Sequence, residues 1–329
     1  MLPNLSGLGA GPSMGIHLAG ERIQVWQMFG SQRLCGHLNG GNRFERFNEV
    51  MFYLQLRNEL WKLFAKKRTY IGFLMFLLAQ NVIILVFRFT NGPQANMIRT
   101  LEGNGYLAQQ FISALTVATF MLLPIAYMLL PLYVSLVGGD LVAKEAEDGT
   151  LRMILSRPIS RLRLLLLKWL AGAIFSLFLV AALGLFGVVF ASLWFPWKGL
   201  FVFIPGELFS VFDASSGWQH YAAAHLLMAA KACTVMGLAF MFSCFNVKPA
   251  AATILAISFV FVNFIMQNIP YFRDLQHWFL TYHLNIWLFM FAQPIPWWKI
   301  GESLSILVGF NVSFLVIGAA AFQVRDIKS

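Results

Sequence analysis

Two long runs without a charged residue constrain the fold of this chain more than any other feature. They cover residues 111–137 and 169–194. A helix of about 20 apolar residues crosses the hydrocarbon core of a bilayer, so each run is long enough to span a membrane. Of the 329 residues, 59% are hydrophobic and 12% are charged, whereas soluble domains carry about 25% charged residues. Because backbone groups in lipid must pair within their own segment, the sequence predicts an all-α polytopic membrane protein.

The apolar runs predict six transmembrane helices. Their approximate ranges are 70–87, 111–137, 164–194, 222–245, 250–269 and 304–322. Pro124 and Pro131 are expected to kink the second helix, which a bilayer helix tolerates when its neighbours satisfy the freed backbone groups. Residues 91–105 are interpreted as a polar loop. The membrane domain as a whole is predicted to cover residues 69–329.

The residues before the first span divide into a tail and a helix. Residues 1–46 are rich in Gly, Ser and Asn without an apolar period, which is typical of a disordered tail. No apolar core follows a basic start, so they do not form a signal peptide, and Met51 is an alternative natural start. Residues 47–68 are predicted to form an amphipathic elbow helix on the membrane surface. The alternative is a plain cytoplasmic helix.

The distribution of Lys and Arg predicts the orientation. With the amino end inside, the basic residues of the inner segments are Arg57, Lys62, Lys66, Lys67, Arg68, Lys144, Arg152, Arg157, Arg161, Arg163, Lys168, Lys248, Arg325 and Lys328. Those of the outer loops are Arg88, Arg99, Lys198, Arg273 and Lys299. By the positive-inside rule, both ends and the segment 140–168 face the cytoplasm of a multi-pass protein in the inner (plasma) membrane. This placement also favours lipid over nucleic acid as the partner of the net charge of +10.

The segment 140–168 holds the densest group of charges in the chain. Gly149 permits a sharp turn or a close backbone approach. Thr150 is predicted to cap a short helix that starts at Leu151, and Ser160 to cap the next one. Pro158 is expected to end the short helix. The segment is interpreted as a cytoplasmic docking surface, and the alternative is a solvated loop without a partner.

Three motifs give the chain a family resemblance. They are Ala143-x-Glu145-x-Glu147-x-Gly149-Thr150-Leu151 with Leu155-Ser156-x-Pro158-x-Ser160-Arg161 and Lys168, the start Asn58-Glu59-Leu60-Trp61-Lys62-Leu63 with Lys67-Arg68-Thr69-Tyr70-Ile71-Gly72, and the ending Phe322-x-x-Arg325-Asp326-Ile327. Together they resemble the permease subunits of ABC-2-type ABC transporters, in particular the six-helix bacterial permeases like the membrane subunit of the nitrous-oxide-reductase maturation transporter. The resemblance covers residues 51–327.

The resemblance implies a permease that exports an unknown substrate as a homo- or heterodimer with a separate ABC ATPase. It places a coupling helix in segment 138–163, and the residues that it assigns to ATPase coupling are Glu145, Glu147, Gly149, Thr150, Leu151, Pro158, Ser160 and Arg161. The chain lacks a phosphate-binding Gly-x-x-x-x-Gly-Lys-Ser/Thr motif, so the partner ATPase would bind ATP and this chain would need no cofactor. The resemblance also implies half-helices that re-enter the outer leaflet, for which residues 278–298 are the candidate.

Other chemistry is sparse in the sequence. Candidates for a substrate path are Lys231, Gln80, Asn81 and Asn263, since polar groups in spans are costly and often functional. The alternative is snorkelling for the lysine and helix–helix hydrogen bonding for the amides. The six histidines have no metal-ligand spacing and no catalytic cluster is visible, so neither a metal site nor an enzyme is predicted. A second hypothesis remains open: a membrane anchor that transmits force from an ATPase without moving a solute.

Overall fold

The computed structural model describes residues 40–156, 159–204 and 208–325. Within them, six helices are long and apolar enough to cross a membrane. Their bounds are Lys67–Phe89, Ala114–Glu147, Arg161–Trp194, Ala214–Cys244, Pro249–Asn268 and Trp297–Val324. The prediction of an all-α polytopic membrane protein with six spans is confirmed, and each helix extends beyond the predicted range at one or both ends.

The elements follow one another in a simple order. The helices are α1 (Gly40–Ala65), α2 (Lys67–Phe89), α3 (Asn91–Gly103), α4 (Ala114–Pro124), α5 (Leu130–Glu147), α6 (Thr150–Leu155), α7 (Arg161–Trp194), α8 (Ala214–Cys244), α9 (Pro249–Asn268), α10 (Leu280–His283) and α11 (Trp297–Val324), and the strands are β1 (Leu200–Ile204) and β2 (Leu208–Phe212). Helix α1 starts at Gly40 rather than at residue 47. The chain divides into two units, Met1–Tyr53 and Leu54–Ser329; the described part of the first, 40–53, is helical, and residues 1–39 of the predicted tail lie outside the described residues.

Helix α8 forms the centre of the helical bundle. Within its most apolar window 72% of the residues are buried, against 22% in each of α2, α9 and α11. Helix α5 packs closely against it, because a Cβ atom on Gly138 would lie 2.4 Å from the carbonyl oxygen of Met236. On Gly139 it would lie 2.5 Å from Thr253 Oγ1 of α9. Small residues allow helices in a membrane to approach in this way, so α5, α8 and α9 form a tight core with more exposed apolar helices around it.

The second span is interrupted where the sequence predicts it. Helix α4 ends at Pro124, a π-helical turn covers Ile125–Leu129, and α5 begins with Leu130 and Pro131. Proline removes a backbone donor and crowds the preceding turn, which explains the local change of helical winding. A π turn therefore lies between the two prolines at which the sequence predicts a kink.

At the end of the bundle opposite α6, two elements differ from the sequence interpretation. The predicted polar loop at 91–105 is wrong, since Asn91–Gly103 is helix α3. Strands β1 and β2 pair as an antiparallel hairpin that the sequence reading missed. The segment 278–298, the candidate for re-entrant half-helices, contains α10 and a 3-10 helix, Ile286–Phe291. The 3-10 helix is anchored by the fully buried Trp287 and by a 2.6 Å hydrogen bond between His220 Nδ1 and the Met290 carbonyl oxygen.

Candidate coupling site

The charged segment folds into a sharp turn between two helices, the α5–α6 corner (residues 147–153). Gly149 occupies this turn with φ of +73°, a left-handed conformation that glycine adopts without a steric penalty. Nothing lies within 4 Å of the position that its Cβ would occupy, so the turn, and not a close backbone approach, requires the glycine. Helix α6 then runs for six residues, Thr150–Leu155.

Local capping differs in one respect from the prediction. Gly149, and not Thr150, is the N-cap of α6. Thr150 is the first residue of α6, and its hydroxyl donates to the carbonyl oxygen of Glu145 at 3.3 Å. Ser160 caps α7 as predicted, because its Oγ accepts from the Arg163 backbone N–H at 3.3 Å. Pro158 lies outside the described residues.

Four charged side chains close into a ring beside the corner. Lys168 Nζ lies 2.8 Å from Glu59 Oε2 and 2.7 Å from Glu145 Oε2. Lys62 Nζ lies 2.6 Å from Glu59 Oε1 and 3.3 Å from Glu145 Oε1. Each carboxylate therefore contacts both lysines, and this ion-pair ring joins α1, α5 and α7.

Burial makes the stability of the protein sensitive to the loss of any partner in the ion-pair ring. The Lys168 side chain is 1% exposed and that of Glu59 is 11% exposed. Burial alone would raise the pKa of Glu59, but Lys168 and Lys62 outweigh it and hold the pKa below its ordinary value. Burial likewise opposes the charge of Lys62, yet Glu59 and Glu145 raise its pKa. Removing one partner from a buried pair leaves an uncompensated charge, at a typical cost of about 3–5 kcal/mol.

The outer surface of the corner carries charges of a different kind. Lys144 Nζ lies 2.8 Å from Glu147 Oε2 and 3.1 Å from Asp148 Oδ1. The carboxylate side chains are 44% and 51% exposed. Met153 is 66% exposed. The two-residue spacing of Glu145 and Glu147 predicts that they point in different directions, and this is confirmed: Glu145 joins the ring, whereas Glu147 faces solvent.

Leu151 and Arg161, also assigned to coupling, make contacts within the chain. Leu151 is 2% exposed and anchors α6 on the core. Arg161 Nη1 donates to the carbonyl oxygens at the end of α11; the acceptors are Phe322 at 3.5 Å, Gln323 at 3.2 Å and Arg325 at 3.4 Å. Arg325 in turn donates to the Phe245 carbonyl oxygen and to Asn246 Oδ1, both at 3.1 Å. The start of α7 is thereby joined to the end of α11 and to the α8–α9 turn.

Sequence reasoning found Glu145 and missed its partners Glu59, Lys62 and Lys168 as a cluster. The available signal was Lys168, a lysine that interrupts an apolar run, because such a charge requires a partner. A second missed pair joins Arg68 Nη1 to Asp140 Oδ2 at 2.9 Å and holds the start of α2 on α5.

The four substrate-path candidates make separate contacts. Gln80 is buried and donates to the Leu183 carbonyl oxygen at 2.9 Å, which joins α2 to α7. Asn81 and Asn263 donate to carbonyl oxygens of their own helices. Lys231 is 3% exposed, and its ammonium lies 4.7 Å from the centre of the Tyr127 ring in the π turn. Among the described residues, no group of three or more side chains could hold a metal ion.

A family model described as ABC-2 family transporter protein matches residues 56–327. The chain belongs to this family. It is therefore the permease subunit of an ABC transporter, a multi-pass membrane protein whose family implies an ABC ATPase as partner. Subunits of this ABC-2 family are typically non-catalytic. A comparison with curated proteins finds no match.

Proposed function

We propose that this permease couples ATP hydrolysis by a separate ATPase subunit to export of a substrate across the inner (plasma) membrane. The end of the bundle that carries the ion-pair ring, together with both chain ends, faces the cytoplasm. The observation that carries the proposal is the construction of the α5–α6 corner, which presents exposed charges and the exposed Met153 next to a buried ionic connection to three helices.

In this proposal, the corner receives the movement of the ATPase. Glu147, Gly149 and the exposed face of α6 contact the ATPase, while Leu151, Thr150 and Ser160 hold the backbone in place. The ion-pair ring then passes the displacement to α1 and α7, because Glu145 lies on the same helix end as Glu147. Arg161 extends the connection to the end of α11.

Two permease subunits assemble with the ATPases in this scheme. The supporting observation is the low burial of α2, α9 and α11, whose apolar faces are available to lipid or to a second permease subunit. We also propose Lys231 as the residue of the substrate path with the strongest case, since a buried cation without a carboxylate contact among the described residues is costly in a span.

Reversal of one exposed charge tests the coupling role. Glu147→Lys should lower the amount of ATPase that copurifies with the permease or uncouple hydrolysis, because a broken charged contact at an interface costs about 2–5 kcal/mol when the partner charge stays buried. The matched control is Glu102→Lys, which reverses an exposed charge of α3 at the opposite end. Bound ATPase is quantified after purification in detergent, and hydrolysis is measured in lipid. Unchanged binding and coupling in Glu147→Lys would remove the docking role from the corner.

A further inference from the structure

A cavity beside the ion-pair ring has one more cation than it has carboxylates. It encloses about 330 Å³ and lies where α1 gives way to α2. Its ionisable lining residues are Glu59, Lys62, Lys66, Lys144, Glu145, Asp148 and Lys168. Four lysines therefore face three carboxylates of the lining, while Glu147, a second partner of Lys144, lies outside it. An anion would fit beside the lysine that has no direct carboxylate contact among the described residues.

Lys66 is the cation that lacks a carboxylate. The other three lysines are held by the ion pairs of the ring and of the corner. In the described part of the chain no carboxylate pairs directly with Lys66, and Asp140, which attracts it from the neighbouring helix, is already bound by Arg68. Loss of water lowers the pKa of Lys66, with the nearby Lys168 and Arg68 adding repulsion and Asp140 and Glu145 opposing the shift. An anion in the cavity would supply the missing partner.

The surroundings of Lys66 indicate where such an anion comes from. Lys66 is the residue at which the chain passes from α1 into the apolar span α2. On either side of it, Trp61 is 75% exposed and Tyr70 is 64% exposed. Exposed Trp and Tyr at the end of a span are typical of the headgroup level of a bilayer. The two exposed aromatic residues therefore favour a position of the cavity beside lipid headgroups.

We propose that this cavity binds the phosphate of an anionic phospholipid headgroup, with Lys66 as its principal cation. A phosphodiester carries one negative charge, which matches the one lining lysine without a direct carboxylate contact among the described residues. A zwitterionic headgroup would bring its own cation next to that lysine. Basic residues beside a span attract anionic lipid by about 1 kcal/mol each near the surface, and here the cavity adds a defined place for one headgroup. The bound lipid would hold the end of α1 in place next to the ion-pair ring.

The test uses the full-length permease purified in detergent and needs no ATPase, so its result is independent of the coupling proposal. Thermal unfolding is measured with added phosphatidylglycerol, phosphatidylcholine or inorganic phosphate. Phosphatidylglycerol alone should raise the Tm of the wild type. Lys66→Gln should abolish that shift and Lys66→Arg should keep it. Lys67→Gln is the matched control, because Lys67 is exposed, adjacent and of the same charge, and it should keep the shift.

Three outcomes would overturn the proposal. The first is that phosphatidylglycerol raises the Tm of Lys66→Gln as much as that of the wild type. The others are that Lys67→Gln loses the Tm shift to the same extent, which indicates diffuse attraction, or that inorganic phosphate gives an equal Tm shift, which indicates a free-anion site. If Lys66→Gln yields no folded protein, a photoactivatable phosphatidylglycerol is cross-linked to the wild-type chain. Labelling of residues that line the cavity supports the site, and labelling confined to other residues refutes it.

Discussion

The ion-pair ring and the α5–α6 corner place the same residue types in opposite environments. In the ring, Lys168 is 1% exposed and contacts two carboxylates. At the corner, Glu147 and Asp148 both contact Lys144, but these two carboxylates are about half exposed and lie three and four residues from the lysine. Buried charges must keep their partners, whereas exposed pairs contribute about 0–1 kcal/mol because water can replace either partner. Burial, rather than residue type, separates the structural connection of the ring from the exposed charged surface of the corner.

The largest expected effect comes from breaking the ring. Lys168→Met should destabilise the permease by about 3–5 kcal/mol, since it leaves buried carboxylates with fewer cations. Thermal unfolding in detergent measures the loss. The double variant Glu59→Gln with Lys168→Met should recover part of it, because it also removes one of the unpaired charges. A single variant as stable as the wild type would show that the ring is not a structural connection.

Strain at the corner should have the next largest effect. Gly149→Val places a β-branched side chain at φ of +73°, a conformation that costs on the order of 1–3 kcal/mol for such a residue. We expect the turn to rearrange and ATPase copurification to fall more than the Tm of the permease does. Gly103→Val provides the control, since that helical glycine at the other end has no positive φ and nothing within 4 Å of its Cβ position. Equal ATPase binding by the two variants would contradict the need for this turn.

Neutralising the exposed pair of the corner should barely change stability. Glu147→Gln removes a surface ion pair with Lys144 while Asp148 remains as the partner of the lysine. The Tm should stay close to that of the wild type, because water can replace the partner of an exposed charge. Glu145→Gln, a variant of the ring, is compared in the same unfolding assay. It should lower the Tm clearly more than Glu147→Gln does. Equal losses would mean that the two regions do not differ in kind.

The smallest effect should be seen in the pH dependence of the ring. Glu59 has a pKa lowered from 4.5 and Lys62 a pKa raised from 10.5. Glu59 stabilises the fold fully above pH 4.5, and this stabilisation is lost as the pH falls through its lowered pKa. Lys62 stabilises the fold fully below pH 10.5, and this stabilisation is lost as the pH rises through its raised pKa. The stabilisation by these two groups should therefore be constant between these limits. In Glu59→Gln, the fall of the Tm at low pH should be smaller than in the wild type. An unchanged fall of the Tm at low pH would show that other groups cause it.

The amino-acid sequence alone determined the features that depend on neighbouring residues. Six spans follow from apolar runs, the break in the second span from Pro124 and Pro131, the turn from Gly149, and the start of α7 from the Ser160 cap. Each of these depends on hydropathy or on backbone preferences within a few residues. Such preferences act before any distant contact forms, so they can be predicted from the chain itself.

Only the tertiary structure decided which charges became partners. Lys168 and Glu59 lie 109 residues apart, and Lys62 and Glu145 lie 83 residues apart. Nothing in the spacing of either pair indicates an ion pair, because the packing of α1, α5 and α7 brings them together. The same packing left Lys66 without a direct carboxylate contact among the described residues and placed Lys231 over Tyr127. From the sequence, a charge in a largely apolar chain can be predicted to need a partner. Which group becomes its partner depends on how distant helices pack.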